Sequence, residues 1–451
     1  MRLQRLIVIA GLAAAALPAL ADPQIQSWQT KEGARVLFVE AHENAIVDVQ
    51  LNFDAGNRRD PAGKPGLADL TLGLIDAGTA KMGEEAVRER LTDLAASLSG
   101  SADADSASLT LRVLARPEVR DPAVALVADL VAHPAFPEAV LKRERERSID
   151  NLRQRETDPG FLAGRELTRL MYPAHPYGSG ARLSADSLKR ISREDLLAFW
   201  RTYYRPESAV IAIVGDLTRA DAQSLAERLL AGLPKGRPAP PALADVPPTV
   251  PGQQKVIAHP ASQAHVVLGL PLITRHDPDY YALMAGNYVL GGGGFDARLM
   301  RELRDKRGLT YGASSMLAPH EKAGPFEVSF STRKDQAGEA LKVARSTIAD
   351  FVADGPTEAE LEQAKANIVG GFPMRFDSNR KLLGYLAVIG WYRLPLTFLS
   401  DYPKKVSALT VADVRDTWRR RIDPARLATV VVGPATLAEQ GAKGEPAGQS
   451  R

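Results

Sequence analysis

Apolar and polar residues alternate along Val36–Ala41, Ile46–Phe53, Ala107–Val113 and Phe326–Ser331. A period of two puts one side of a strand on a core, so these segments predict β-strands. Short apolar runs at Ala209–Val214, Val266–Leu270 and Ala428–Val432 also read as strands. A helical pattern begins near Leu67 and recurs over Ala123–Leu130, Pro137–Arg155, 219–232, Asp277–Leu290, 334–353, 357–370 and 380–395. The order of these elements repeats. Arg205-Pro206 leads into one apolar run and Gly215; Asp423-Pro424 leads into another and Gly433. The echo predicts a duplicated α/β unit of roughly 200 residues. Between the copies, 234–252 holds Pro234, Pro238, Pro240, Pro241, Pro247, Pro248 and Pro251. Such a density forbids helix and central strand, and predicts a semi-rigid linker holding two domains at a distance. The expected class is α+β: two homologous α/β sandwich domains, 22–233 and 253–439, each a mainly antiparallel sheet with helices on one face. A polar tail, 440–451, is expected to fray.

Composition changes this picture little. A chain of 451 residues exceeds one hydrophobic core, and 57 basic against 54 acidic residues leave no charge excess that would call for nucleic acid. Without cysteine there is no zinc-finger spacing and no disulfide to stabilise the fold. The N-terminus is more telling. Arg2 and Arg5 precede the apolar run Leu6–Leu17, then Pro18 and the small-x-small triplet Ala19-Leu20-Ala21. This pattern predicts a secretory leader, 1–21, cleaved after Ala21. The run is shorter than the roughly 20 residues that span a bilayer, and no later stretch reaches that length, so no stable membrane insertion is expected.

Chemistry is sparse. His42, His133, His175, His259, His265, His276 and His320 include no helical pair three or four apart, and no Gly-x-Ser-x-Gly elbow is present. Gly291, Gly292, Gly293 and Gly294 could suggest a phosphate cradle, but the lysine and hydroxyl of a P-loop are missing.

Two phrases carry a family resemblance. Asp60 to Asp69, running on to Gly78-Thr79, resembles the inverted-zinc-motif peptidases of the pitrilysin and mitochondrial processing peptidase family, closest to its bacterial two-subunit branch. Where that family has His-x-x-Glu-His, this chain has Asp69-Leu70-Thr71-Leu72-Gly73. The distal zinc ligand, a glutamate in a charged helix, falls on Asn151; the supporting acidic residue survives as Glu144. Catalytic zinc needs three protein ligands and a base for its water. Asp69 could ligate, but Gly73 has no side chain, Asn151 is a weak neutral donor and Leu72 cannot take a proton. No metal and no catalytic residue are therefore expected in this chain, which should not act as a peptidase alone.

The second phrase runs from the glycines through Arg298-Leu299 to Arg307-Gly308-Leu309-Thr310-Tyr311. Read from the residues, Arg304 suits a surface salt bridge and Tyr311 a place against the sheet. The resemblance implies instead that Arg304 and Tyr311 bind substrate opposite the zinc site of a partner, and that Gly291–Gly294 form a flexible loop near the peptide. An ordinary loop before a helix near Asp296 is the plainer reading of those glycines. The whole resemblance implies a non-catalytic, substrate-binding subunit of a heteromeric peptidase, exported to the periplasm. Its partner would be a catalytic His-x-x-Glu-His subunit holding Zn2+, and its ligands would be peptides. A stand-alone peptide-binding or scaffolding protein of the same fold is the alternative.

Overall fold

The computed structural model describes residues 23–236 and 240–433; the predicted leader, Arg237–Ala239 of the linker and the predicted tail 440–451 lie outside them. Two sheets organise the chain. The first contains β1 (Gln26–Gln29), β2 (Arg35–Glu40), β3 (Ile46–Phe53), β4 (Ser97–Ala102), β5 (Ala107–Leu114) and β6 (Val210–Gly215), in the spatial order β1-β2-β6-β3-β5-β4. The second contains β7 (Gln254–Ala258), β8 (Gln263–Ile273), β9 (Ala313–Leu317), β10 (Gly324–Arg333) and β11 (Ala428–Gly433), in the order β7-β11-β8-β10-β9. Remove β1 and the two orders coincide. Each sheet is antiparallel except for one pair, β2 with β6 and β7 with β11. The duplication predicted from two short phrases thus extends to strand order and direction.

The central strands explain why those phrases are so apolar. In β6 every residue is buried, and its alternate side chains enter different cores. Ile211 and Ile213 join the core of the first half, whereas Val210, Ala212 and Val214 pack with Leu386 and Ile389 of helix Asn379–Trp391. β11 does the same in reverse: Ala428, Val430 and Val432 meet Ala163, Leu167 and Met171 of helix Pro159–Met171. Each sheet therefore carries its own half's helices on one face, as expected, and a helix lent by the other half on the opposite face. A strand covered on both sides has no polar side to show.

This exchange corrects the expectation that the proline-rich segment holds the halves apart. Residues 240–252 run as irregular chain pinned across both. Arg59 Nη1 donates to Pro241 O (3.0 Å), Lys322 pairs with Asp245 (2.7 Å), and Thr249 Oγ1 donates to Arg426 O (2.5 Å). Where the halves meet, the fully buried Asp105 gathers donors from both. From the first half, Arg58 Nη1 and the Tyr177 hydroxyl donate to Oδ1, each at 2.7 Å. From the second, the Tyr392 hydroxyl (2.7 Å) and the Glu321 N–H (2.9 Å) donate to Oδ2. Arg58 also bonds Glu321 across the junction. Burial alone would raise the Asp105 carboxyl, but Arg58 and the two hydroxyls hold it below the ordinary carboxylate range.

Candidate functional site

Helix Leu67–Gly73 is short and starts under constraint. Gly66 takes φ +97°, and Asp60 accepts from the N–H groups of Gly66 (3.0 Å) and Ala68 (2.8 Å), with Ser179 Oγ donating to it as well (2.8 Å). A carboxylate at the first turn satisfies free N–H groups and favours the positive end of the helix. Leu67, Ala68, Leu70, Thr71 and Leu72 turn inward, and Asp69 and Gly73 are left on the open side.

Helix Glu138–Arg155 faces it. Glu144, Ser148, Asn151 and Arg155, spaced by four, three and four, form one stripe along that helix. With Asp69, Gly73 and several leucines they line a cleft of about 260 Å³. A second cleft, also about 260 Å³, lies between helix Leu67–Gly73 and β4; Asp69 and Gly73 line it as well, together with Asp76. The structure therefore brings together Asp69, Gly73, Glu144 and Asn151. Leu72 is buried, with its side chain against β4: a Cβ on Gly100 would lie 3.1 Å from Leu72 Cγ.

The donor set does not fit zinc. One carboxylate, one hydrogen, one hydrocarbon and one neutral amide occupy the positions concerned, and among the described residues no three His, Cys, Asp or Glu side chains converge on a possible metal position. Glu144 is engaged by Arg143 Nε at 2.9 Å. Asp69 has no hydrogen bond or ion pair among the described residues. It reaches solvent, yet protein crowds it from behind; this burial first, and the charge of Asp60 second, push its carboxyl up to about 6. Asp76, Ser148 and Arg155 were not singled out from sequence, although the helical spacing from residues 73 and 151 points to them.

The second phrase lies elsewhere; Arg304 and Tyr311 line neither cleft. The predicted helix Asp277–Leu290 stops at Asn287 and widens into a π-helical turn, Tyr288–Gly292, closed by Gly293 N–H donating to Tyr288 O at 2.8 Å. Three of the four glycines are packed and do not form a free loop. A Cβ on Gly291 would lie 2.5 Å from Ser315 N, one on Gly292 2.9 Å from Asn287 Nδ2, and one on Gly293 2.8 Å from Tyr288 O. Gly294, at φ +70°, has open space around it. The turn lies along β9, the outer strand of the second sheet.

Arg304 is part-exposed, 3.7 Å from Asp305 and over the ring of the exposed Phe295 at 4.9 Å. Tyr311 does not pack on the sheet: it is 88% exposed. The residues on either side of it are nevertheless held: Thr310 Oγ1 accepts from Gly312 N–H (3.1 Å) and shares its one proton between Ser331 O (2.7 Å) and Gly312 O (2.8 Å). His175 is buried, accepting from Tyr177 N–H (3.2 Å) and bonding Ala244 O (3.1 Å), a structural position.

Known proteins resemble this chain throughout. Residues 35–180 match the family described as insulinase, peptidase family M16, and residues 190–368 match the peptidase M16 inactive domain. A solved peptidase M16 inactive domain from Pseudomonas fluorescens is 36% identical, covering 91% of this chain and 98% of that one, with a TM-score of 0.87. The non-peptidase homolog YmxG of Helicobacter pylori is 23% identical over 386 residues, 84% of this chain and 87% of that protein. The periplasmic protease PqqL of Escherichia coli shares the fold at 18% identity and a TM-score of 0.76, with 96% of this chain matching 48% of that one.

Proposed function

This chain belongs to the M16 peptidase family as a non-catalytic member, and we propose that it is the substrate-binding subunit of a two-chain zinc peptidase. A separate catalytic subunit carries His-x-x-Glu-His, the zinc and the attacking water. This chain supplies one wall of the peptide chamber and presents Arg304 and Tyr311 to the partner's zinc site. A guanidinium can grip a peptide carbonyl or carboxylate, and a phenol can donate to a developing oxyanion. Catalysis depends on where such groups lie and not on which chain bears them.

The observation that carries this reading is Tyr311: a large ring, 88% exposed, between neighbours held by the Thr310 hydroxyl. Such a side chain contributes little to its own core and is accessible to another molecule, which supports the reading. The length match with PqqL adds support, because a chain of that fold has room for two units of this size.

The test is reconstitution with the catalytic subunit. Peptide hydrolysis should need both chains, and the Arg304→Ala/Tyr311→Phe double variant should lower kcat/KM about 100-fold, the scale of losing an oxyanion donor. Unchanged kinetics would reject the grip, and full activity of the catalytic chain alone would reject the subunit role. Isolation from the host without a zinc-bearing companion would favour the stand-alone scaffolding alternative. We further propose a periplasmic location after removal of residues 1–21; N-terminal sequencing of the mature chain should begin at Asp22.

A further inference from the structure

We propose that the cleft beside Asp69 receives a basic side chain, a lysine or arginine of a bound peptide, in the space where active relatives would hold their metal. The inference rests on the peptide-binding reading above and names the chemistry of one subsite. The two clefts meet at Asp69 and Gly73, and a Cβ on Gly73 would have nothing within 4 Å. Loss of the side chain at this position leaves room that no neighbour has filled.

The walls and the charge agree on the occupant. Leu70, Leu74, Leu183 and Leu188 give the first cleft an apolar side suited to a hydrocarbon stem. Asp69 supplies a carboxylate with no hydrogen bond or ion pair among the described residues, and burial first, with the Asp60 charge second, pushes it up. Arg155, on the same lining, is directed over the Phe161 ring at 4.1 Å. Asp76 adds a second carboxylate on the far cleft. Tyr204, fully buried and lining neither cleft, has no hydrogen-bond partner for its hydroxyl among the described residues; burial first, and the Asp69 charge second, raise its pKa. Asp69 and Tyr204 are thus within electrostatic reach of each other, and both lack hydrogen-bond partners among the described residues. A divalent metal would need three converging donors, which are missing. An ammonium or guanidinium on an apolar stem needs one carboxylate and a greasy wall, and its arrival would relieve the uncompensated charge of Asp69.

The test uses the mature full-length chain at pH 7.5 and two capped alanine-based peptides with lysine or norleucine at the centre, followed by calorimetry. The lysine peptide should bind about tenfold more tightly. That preference should fall to about one in Asp69→Asn, which is nearly isosteric, and in Gly73→Leu, which fills the cleft from an exposed position. Equal affinity of the two peptides for the wild-type chain, or an undiminished preference in Asp69→Asn, would overturn the subsite and leave the peptide-binding reading standing. Binding of neither peptide would sink that reading and the subsite with it.

Discussion

Two aspartates show how differently this molecule treats a carboxylate. Asp105, at the junction of the halves, is fully buried and accepts from an arginine, two tyrosines and a backbone N–H. Asp69, in the cleft, touches solvent and has no partner among the described residues. Burial pushes both upward, but only Asp105 ends below the ordinary range, because its donors outweigh desolvation. Surroundings built to satisfy a charge mark a structural joint. A charge left uncompensated marks a place where something else can bind.

The largest test of that contrast is Asp105→Ala. It would leave Arg58 buried with fewer counter-charges and release both tyrosines, so a loss of about 3 kcal/mol is expected in denaturant unfolding. A loss below about 1 kcal/mol would mean the junction does little to join the halves. Asp69→Asn should act with the opposite sign. The folded carboxyl titrates above its unfolded value, so the native state binds the extra proton, and stability falls as pH rises from about 4 through about 6. The asparagine variant should therefore gain about 1 kcal/mol at pH 8, allowing for solvent screening at an accessible group, and almost nothing at pH 4. A gain that does not change with pH would refute the titration. Smallest of all, Arg304→Ala/Tyr311→Phe should unfold within about 0.5 kcal/mol of the parent, as exposed positions do. A larger loss would return these residues to a role within the fold.

The central elements were legible because their environment is regular. β5 and β10 alternate between core and a more open face, and the prediction missed only their ends. β4 was missed because Ser-Leu-Ser-Gly-Ser-Ala has neither bulk nor clear alternation, and it lies at a sheet edge. Helix Pro159–Met171 was also missed, although Asp158 before a proline is a start signal and its side chain accepts from Phe161 N–H at 2.6 Å. The helix exchange left no trace in the sequence, since Leu386 or Leu167 reads the same whichever sheet it covers. At the cleft, residues 69, 72, 73, 144 and 151 were found through resemblance alone. Nothing in their spacing announces a chemistry, because the donors that would announce it are replaced. The glycine run misled for a physical reason: close approach to Ser315, Asn287 and Tyr288 requires the same residue as flexibility does.

The mutual loan of helices has a consequence for how the molecule can be divided. Cutting the backbone between 240 and 252 would not liberate two self-sufficient modules, because each fragment would carry a bare sheet surface and a helix with nowhere to dock. The cut would turn a docking step governed by tether length into an encounter governed by dilution, at the loss of the millimolar effective concentration a short connection provides. Fragments made separately should aggregate or remain partly unfolded, and those made together should find each other and restore the whole.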